Sequence, residues 1–283
     1  MGKMYFEEFR RRVTDEAPYA VFHRSDVSYV PHIHEEIEVG YVLYGTVRAG
    51  SEAGDFLLHE GDMFVFMPDE IHSLSTVTPN SVEILRILPK QSDNIDFGGL
   101  RFSSNRVCPA DGGYAHLISP VLEMVREFDG DSEGREIALR KCRYEIFLAL
   151  LRSIPHFPVT GEDRQEIASR TSLLRRVNDY ISEHYADTIS LDEISDYCGY
   201  SKYYFAHSIK EVTGTSFLDF LTMYRLSIAC ARLRARDGSV TQIAFDCGFN
   251  NLRSFHRTFK KYYNLTPTEY RNEAESAKVK MQN

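Results

Sequence analysis

Three histidines and a glutamate give the first half of this chain its clearest chemistry. His32-Ile-His34 has the alternation of a strand, so both imidazoles leave one face, and Glu38, four residues past His34, shares that face. His72, after Pro68-Asp-Glu-Ile, supplies a third imidazole. Three imidazole nitrogens and one carboxylate are a donor set for a divalent Zn, Fe, Mn or Ni ion. The same groups could equally hydrogen-bond the hydroxyls of a small organic ligand, or serve only as structural side chains. His32, His34, Glu38, Tyr41 and His72 are therefore the candidate ligand-binding residues, and His32, His34, Glu38 and His72 the candidate metal ligands. Tyr44, Phe64 and Phe66 are further candidate pocket walls. His23, His59, His116, His156 and His184 belong to no such constellation.

The second half carries a different signal, an internal repeat. Ile194-Ser-Asp-Tyr-Cys-Gly-Tyr-Ser-Lys-Tyr-Tyr-Phe205 matches Ile243-Ala-Phe-Asp-Cys-Gly-Phe-Asn-Asn-Leu-Arg-Ser-Phe255. The offset is 49 at Cys198/Cys247 and Gly199/Gly248, and 50 at Phe205/Phe255 and Lys210/Lys260, so one residue is inserted between them. Ser190-Leu-Asp-Glu193 and Ser239-Val-Thr-Gln242 read as capping boxes that each start a short helix. Gly199 and Gly248 can take the left-handed backbone of a tight turn, and Ser201 or Asn250 can cap the helix that follows. The inner face of that second helix is Phe205, Ile209 and Val212 in one copy, and Phe255, Phe259 and Tyr262 in the other. Helix, glycine turn and helix with a polar outer face describe a helix-turn-helix, here present twice. Cys198 and Cys247, just before the turn glycines, read as small buried residues rather than a redox pair.

The elements that must position these groups differ between the halves. Glu36–Tyr44, Asp62–Met67 and Val82–Leu88 are β-branched and aromatic runs bounded by turn residues, hence strands. Helical periodicity follows over His116–Phe128, with Leu117, Val121, Leu122, Val125 and Phe128 on one face, and over Glu136–Ile154, with Ile137, Ile146, Phe147, Leu150 and Leu151. Residues 153–163, rich in proline and charge, are the expected linker. The expected fold class is α+β. A β-barrel domain with following helices over 1–160 precedes an all-α domain over 161–283, core about 170–272.

Charge follows the same division. The chain of 283 residues has net charge −8, but residues 164–283 hold 17 basic and 14 acidic residues against 16 and 27 in residues 1–163. Only the second half suits a polyanion. No apolar run is long enough to span a bilayer, the N-terminal MGKMYFEEFRRR has no signal-peptide core, and five unpatterned cysteines suggest a reducing cytoplasm. No membrane partner is expected.

Residues Ser190–Arg271 resemble the DNA-binding domain of the AraC/XylS family of bacterial regulators. The resemblance rests on Ile243-Ala-Phe-Asp-Cys-Gly-Phe, Phe255-His-Arg-Thr-Phe-Lys-Lys261 and Leu265-Thr-Pro-Thr-Glu-Tyr-Arg271. It implies a linker helix, Phe217–Arg236, and two recognition helices entering successive major grooves about 34 Å apart. The first would present Lys202, Tyr203, Ala206 and His207, and the second Asn251, Leu252, Arg253, His256 and Arg257. Arg257 is the expected base-edge contact, because arginine can bond guanine bidentately. Lys210, Lys260 and Lys261 are expected at phosphates. His32-x-His34…Glu38…Gly45 and Gly61…Pro68…His72 likewise resemble the two cupin motifs, so the resemblance implies a cupin-like sensor domain.

The expected function is thus a sequence-specific DNA-binding regulator, an activator responsive to a small-molecule effector such as a sugar or related metabolite. It would act as a homodimer on double-stranded DNA, with RNA polymerase as a further partner and no catalytic residues. Two alternatives stay open: a metal-dependent cupin enzyme with an appended DNA-binding domain, and a ligand-independent dimeric regulator.

Overall fold

The computed structural model describes residues 18–272 apart from 26, 53, 79 and 90–94. The N-terminal dodecamer and most of the Lys-rich tail beyond Arg271 lie outside them. Contacts divide the chain into two compact units, with the boundary between Thr171 and Ser172.

The first unit is a pair of facing antiparallel sheets. One has the order β1 (Tyr19–Ser25), β8 (Ser81–Ile87), β3 (Ile37–Tyr44), β6 (Met63–Phe66), β10 (Arg106–Val107). The other runs β2 (Ser28–His32), β7 (His72–Thr76), β4 (Thr46–Ser51), β5 (Gly54–His59). The larger sheet is buried on both faces, which is why its strands read as nearly continuous apolar runs. Ala20, Phe22, Val42, Phe64, Phe66, Val82 and Ile84 point into the space shared with the smaller sheet. Tyr19, Val21, Ile37, Val39, Val65, Leu85 and Ile87 meet the helices α1 (Tyr114–Asp129) and α2 (Arg135–Arg152).

Helix faces depart from the sequence expectation at two places. Leu122 and Ile137 point outward, and the core positions are instead Met124 on α1 and Leu139 and Cys142 on α2. The expected linker is also structured: β11 (His156–Pro158) pairs with β9 (Leu100–Phe102), and Val159 N–H donates to Gly99 O. The domain division falls instead within helix α3 (Gly161–His184).

In the second unit, α4 (Leu191–Tyr197) and α5 (Lys202–Thr213) form the first helix-turn-helix, and α7 (Val240–Asp246) and α8 (Leu252–Tyr263) the second. Helix α6 (Phe217–Arg234) joins them. It buries Phe217, Phe220, Leu221, Tyr224, Leu226, Ile228, Ala229, Cys230, Ala231 and Leu233, more than a single stripe. Ser190 and Glu193 form a reciprocal capping box. At the second copy Ser239 accepts from Gln242 N–H, but the Gln242 side chain turns to Asp246, 2.6 Å away, so that box is only half made.

Both turn glycines have positive φ, 72° at Gly199 and 80° at Gly248. They differ in surroundings. A Cβ on Gly199 would touch nothing closer than 3.8 Å, whereas one on Gly248 would lie 2.7 Å from Tyr185 O and 3.0 Å from Ala186 O. Gly199→Ala should therefore cost about 1–2 kcal/mol, the left-handed penalty alone. Gly248→Ala should cost clearly more, because two backbone carbonyls must move. Urea unfolding of the two variants checks this, and equal losses would contradict it.

Candidate functional site

The first unit brings together the four residues picked out by type and spacing. One donor atom from each of His32, His34, Glu38 and His72 lies within 4.8 Å of the others. His32 ends β2 opposite His72 at the start of β7, and Glu38 projects from β3 in the facing sheet. Each imidazole is anchored through Nδ1 to a backbone carbonyl two residues away: His32 to Val30 O at 2.9 Å, His34 to Glu36 O at 3.0 Å, His72 to Glu70 O at 2.8 Å. An Nδ1–H donor leaves Nε2 as a bare lone pair, and such anchoring is how ligating histidines are usually oriented.

Hydrogen-bond pairing at this cluster is incomplete. Burial pushes His32 and His72 down to about 3 and His34 to about 4, so all three rings are neutral at pH 7. A neutral imidazole has one N–H. His34 nevertheless faces an acceptor at each nitrogen, Glu36 O on one side and Glu38 Oε2, 3.2 Å away, on the other. His72 Nε2 and Glu38 Oε1 are buried 3.8 Å apart, and neither has a hydrogen-bond partner. Converging lone pairs beside a carboxylate are what a divalent cation would satisfy.

Arg86 was not anticipated from sequence. It stands opposite Glu38 in the β3/β8 register, donates from Nε to Glu38 Oε2 at 2.8 Å, and places Nη2 3.4 Å from His32 Nε2. Burial raises the Glu38 carboxyl, but Arg86 and then His34 outweigh it and hold the group well below the usual carboxylate range. The signal was legible: Arg86 continues the alternation of Val82 and Ile84, whose side chains face the interior. Glu70 is a second unanticipated member. Its carboxylate accepts from Met67 N–H and Asn105 Nδ2, both at 2.8 Å, which fixes the turn leading to His72.

Among the candidate walls, Phe66 stacks on His72 at 4.2 Å between centroids, and Phe64 lies over Gly40, where a Cβ would collide with its ring. Tyr41 must be withdrawn from the ligand set. It is an odd number of residues from Glu38 on the same strand and packs against the helix-side core. A second acidic cluster, Glu123, Cys142 and Glu145, already holds Lys141 Nζ, 3.1 Å from Glu123, and burial pushes the Cys142 thiol up to about 11.

In the second unit the helices α5 and α8 turn their polar faces outward. Lys202, Tyr203, His207 and Lys210 are exposed on α5, as are Arg253, Arg257, Lys260 and Lys261 on α8. Ala206, Leu252 and His256 are half-buried. Asn251 is the N-cap of α8, in place of Asn250, and its side chain accepts from Ser254 N–H at 2.7 Å. Its carbonyl oxygen is thus committed to the helix rather than offered outward. The inner faces are as expected, Phe205, Ile209 and Val212 against Phe255 and Phe259, except that Tyr262 is only half-buried. Cys198 and Cys247 are buried free thiols, pushed up by burial to about 11 and 12.

Comparison with known proteins matches both units. Residues 19–119 match the AraC-like ligand binding domain, and residues 194–273 a helix-turn-helix domain. The HTH-type transcriptional activator RhaS of Escherichia coli O81 is 27% identical over 253 residues, 85% of this chain and 86% of RhaS. HTH-type transcriptional regulators of Staphylococcus aureus are 33% identical over 128 residues, and the matched part spans only 17% of their length. ToxT of Vibrio cholerae, solved with an unsaturated fatty acid bound, shares the fold with a TM-score of 0.52 over 89% of this chain and 94% of its own, at 14% identity. With a ligand-binding sheet domain ahead of a tandem helix-turn-helix, the chain belongs to the AraC family of transcriptional regulators.

Proposed function

We propose that the chain is a sequence-specific DNA-binding regulator that activates transcription in response to an effector held in its N-terminal unit. The observation that carries this is the pair of outward polar helices, α5 and α8, each set by a positive-φ glycine turn and packed on the buried helix α6. Two such helices suit two successive major grooves. The likeness to RhaS, named an activator, supports activation, with RNA polymerase as partner. No helix among the described residues is long and apolar enough to cross a membrane, and a regulator with five free cysteines suits the cytoplasm. We take the protein to be a regulator and not an enzyme. A homodimer is supported by Ile137, Tyr144 and Leu148, exposed at seven- and four-residue spacing along α2. Selection of random duplexes on the purified protein tests the reading: enrichment of two half-boxes about one helical turn apart is expected. Arg257→Ala should then cost about 1–3 kcal/mol at one base position, while Lys261→Ala weakens binding evenly across sequences. Equal, sequence-blind losses from both would overturn the assignment.

A second reading concerns the effector site. We read His32, His34, Glu38 and His72 as ligands for a divalent metal, supported by the unpaired His72 Nε2 and Glu38 Oε1 and by the double acceptor contact at His34. Such an ion would satisfy these lone pairs and supply a Lewis-acidic point for an effector. Arg86 would hold the far carboxylate oxygen. The Phe64 ring over Gly40 fills part of the interior. Chelator-treated protein titrated with Co(II) should take up one equivalent per chain with a tetrahedral or five-coordinate absorption band. His72→Ala should abolish the band and leave DNA binding by the helix-turn-helix units measurable. No saturable uptake by the unmodified chain would overturn the metal reading alone.

A further inference from the structure

The two helix-turn-helix copies share a backbone plan but not a charge. Residues 191–213 carry two lysines, Lys202 and Lys210, against four carboxylates, Asp192, Glu193, Asp196 and Glu211, a net −2. Residues 240–263 carry Arg253, Arg257, Lys260 and Lys261 against Asp246 alone, a net +3. At the offset of 50 that aligns the recognition helices, Tyr203, His207 and Glu211 stand where the second copy has Arg253, Arg257 and Lys261.

The charges are also used differently. On the first copy Lys202 Nζ lies 2.8 Å from Asp192 Oδ2, and His207 Nε2 lies 3.4 Å from Glu211 Oε1. On the second, Arg253, Arg257, Lys260 and Lys261 make no ion pair among the described residues, and Asp246 is turned to Arg232 of α6, 2.9 Å away. Phosphate affinity comes from neutralised phosphates and the counterions they release. A unit of net −2, whose first cation is already paired, gains little from that source. Its exposed Tyr203 and Tyr204 and half-buried Ala206 can add affinity only through groove shape and base contact.

We propose that the two units divide the work, with α8 as the electrostatic anchor, carrying its one base contact through Arg257, and α5 as the discriminator without phosphate anchorage, and that Asp192 and Glu211 are specificity-determining residues. They keep Lys202 and His207 from phosphate, so whatever α5 contributes depends on the sequence it meets. This rests on the reading of α5 and α8 as DNA-contacting helices.

The test uses the full chain, fluorescence anisotropy, and two duplexes, a selected site and a scrambled one, across a salt series. Lys261→Ala should flatten the slope of log affinity against log salt by about one, the loss of one phosphate contact, and Lys202→Ala should leave it unchanged. Asp192→Asn combined with Glu211→Gln should tighten binding to the scrambled duplex several-fold, steepen the slope, and lower the ratio of selected to scrambled affinity. All these side chains are exposed, and circular dichroism confirms that each variant is folded. Equal flattening by Lys202→Ala and Lys261→Ala, or an unchanged affinity ratio in the double variant, would overturn the division of work. Absence of any DNA binding by the unmodified chain would instead refute the DNA reading beneath it.

Discussion

A single buried ion pair organises the first unit. Glu38 and Arg86 face each other across β3 and β8 inside a sheet that is covered on both sides. Two charges removed from water are tolerable only with close geometry, and losing one partner of such a pair typically costs about 3–5 kcal/mol. The 2.8 Å contact from Arg86 Nε supplies that geometry for one carboxylate oxygen and leaves the other aimed at the histidines. The three imidazoles beside it are neutral because they are buried, and His72 Nε2 is left without a hydrogen-bond partner. A slip of β8 by one residue against β3 would turn Arg86 toward the helix-side core, where Leu85 now packs, and leave Glu38 buried without its partner.

The second unit shows how a duplicated element can keep its interior while its surface diverges. Phe205 and Phe255, Ile209 and Phe259, Cys198 and Cys247 remain buried in both copies, because the turn and the packing on α6 dictate them. The outer positions carry no such constraint. The inserted residue falls between Gly248 and the cap, where Asn251 adopts φ −153° in place of the −67° of Ser201. The turn absorbs the extra residue, and the helix phase set by Phe255 matches that set by Phe205.

What the sequence made legible was local. A positive-φ glycine and a Ser–Glu capping box are properties of short segments, and they located the repeat and the turns. His32, His34 and Glu38 do converge, but not as one strand face, because β2 ends at His32 and Glu38 stands on β3 in the facing sheet. What was not legible depended on partners far along the chain. Arg86 is separated from Glu38 by 48 residues, and only the strand register shows why it matters. Tyr41 failed on parity, which the strand pattern already contained. Leu122 and Ile137 were placed inward because helical periodicity gives a stripe without saying which neighbour covers it. The Pro-rich stretch read as a linker because its strand, His156–Pro158, pairs with Leu100–Phe102, more than fifty residues earlier in the chain.

Helix α6 has a mechanical consequence. Eighteen residues of continuous helix extend about 27 Å and are buried on several sides. A helix of this kind would make the separation of the two helix-turn-helix units a property of the protein. Duplex DNA turns by about a tenth of a revolution per base pair, so adding or deleting a single pair between two half-boxes misaligns one head in angle as well as in distance. Such a ruler would sort promoters by spacing before any base is read.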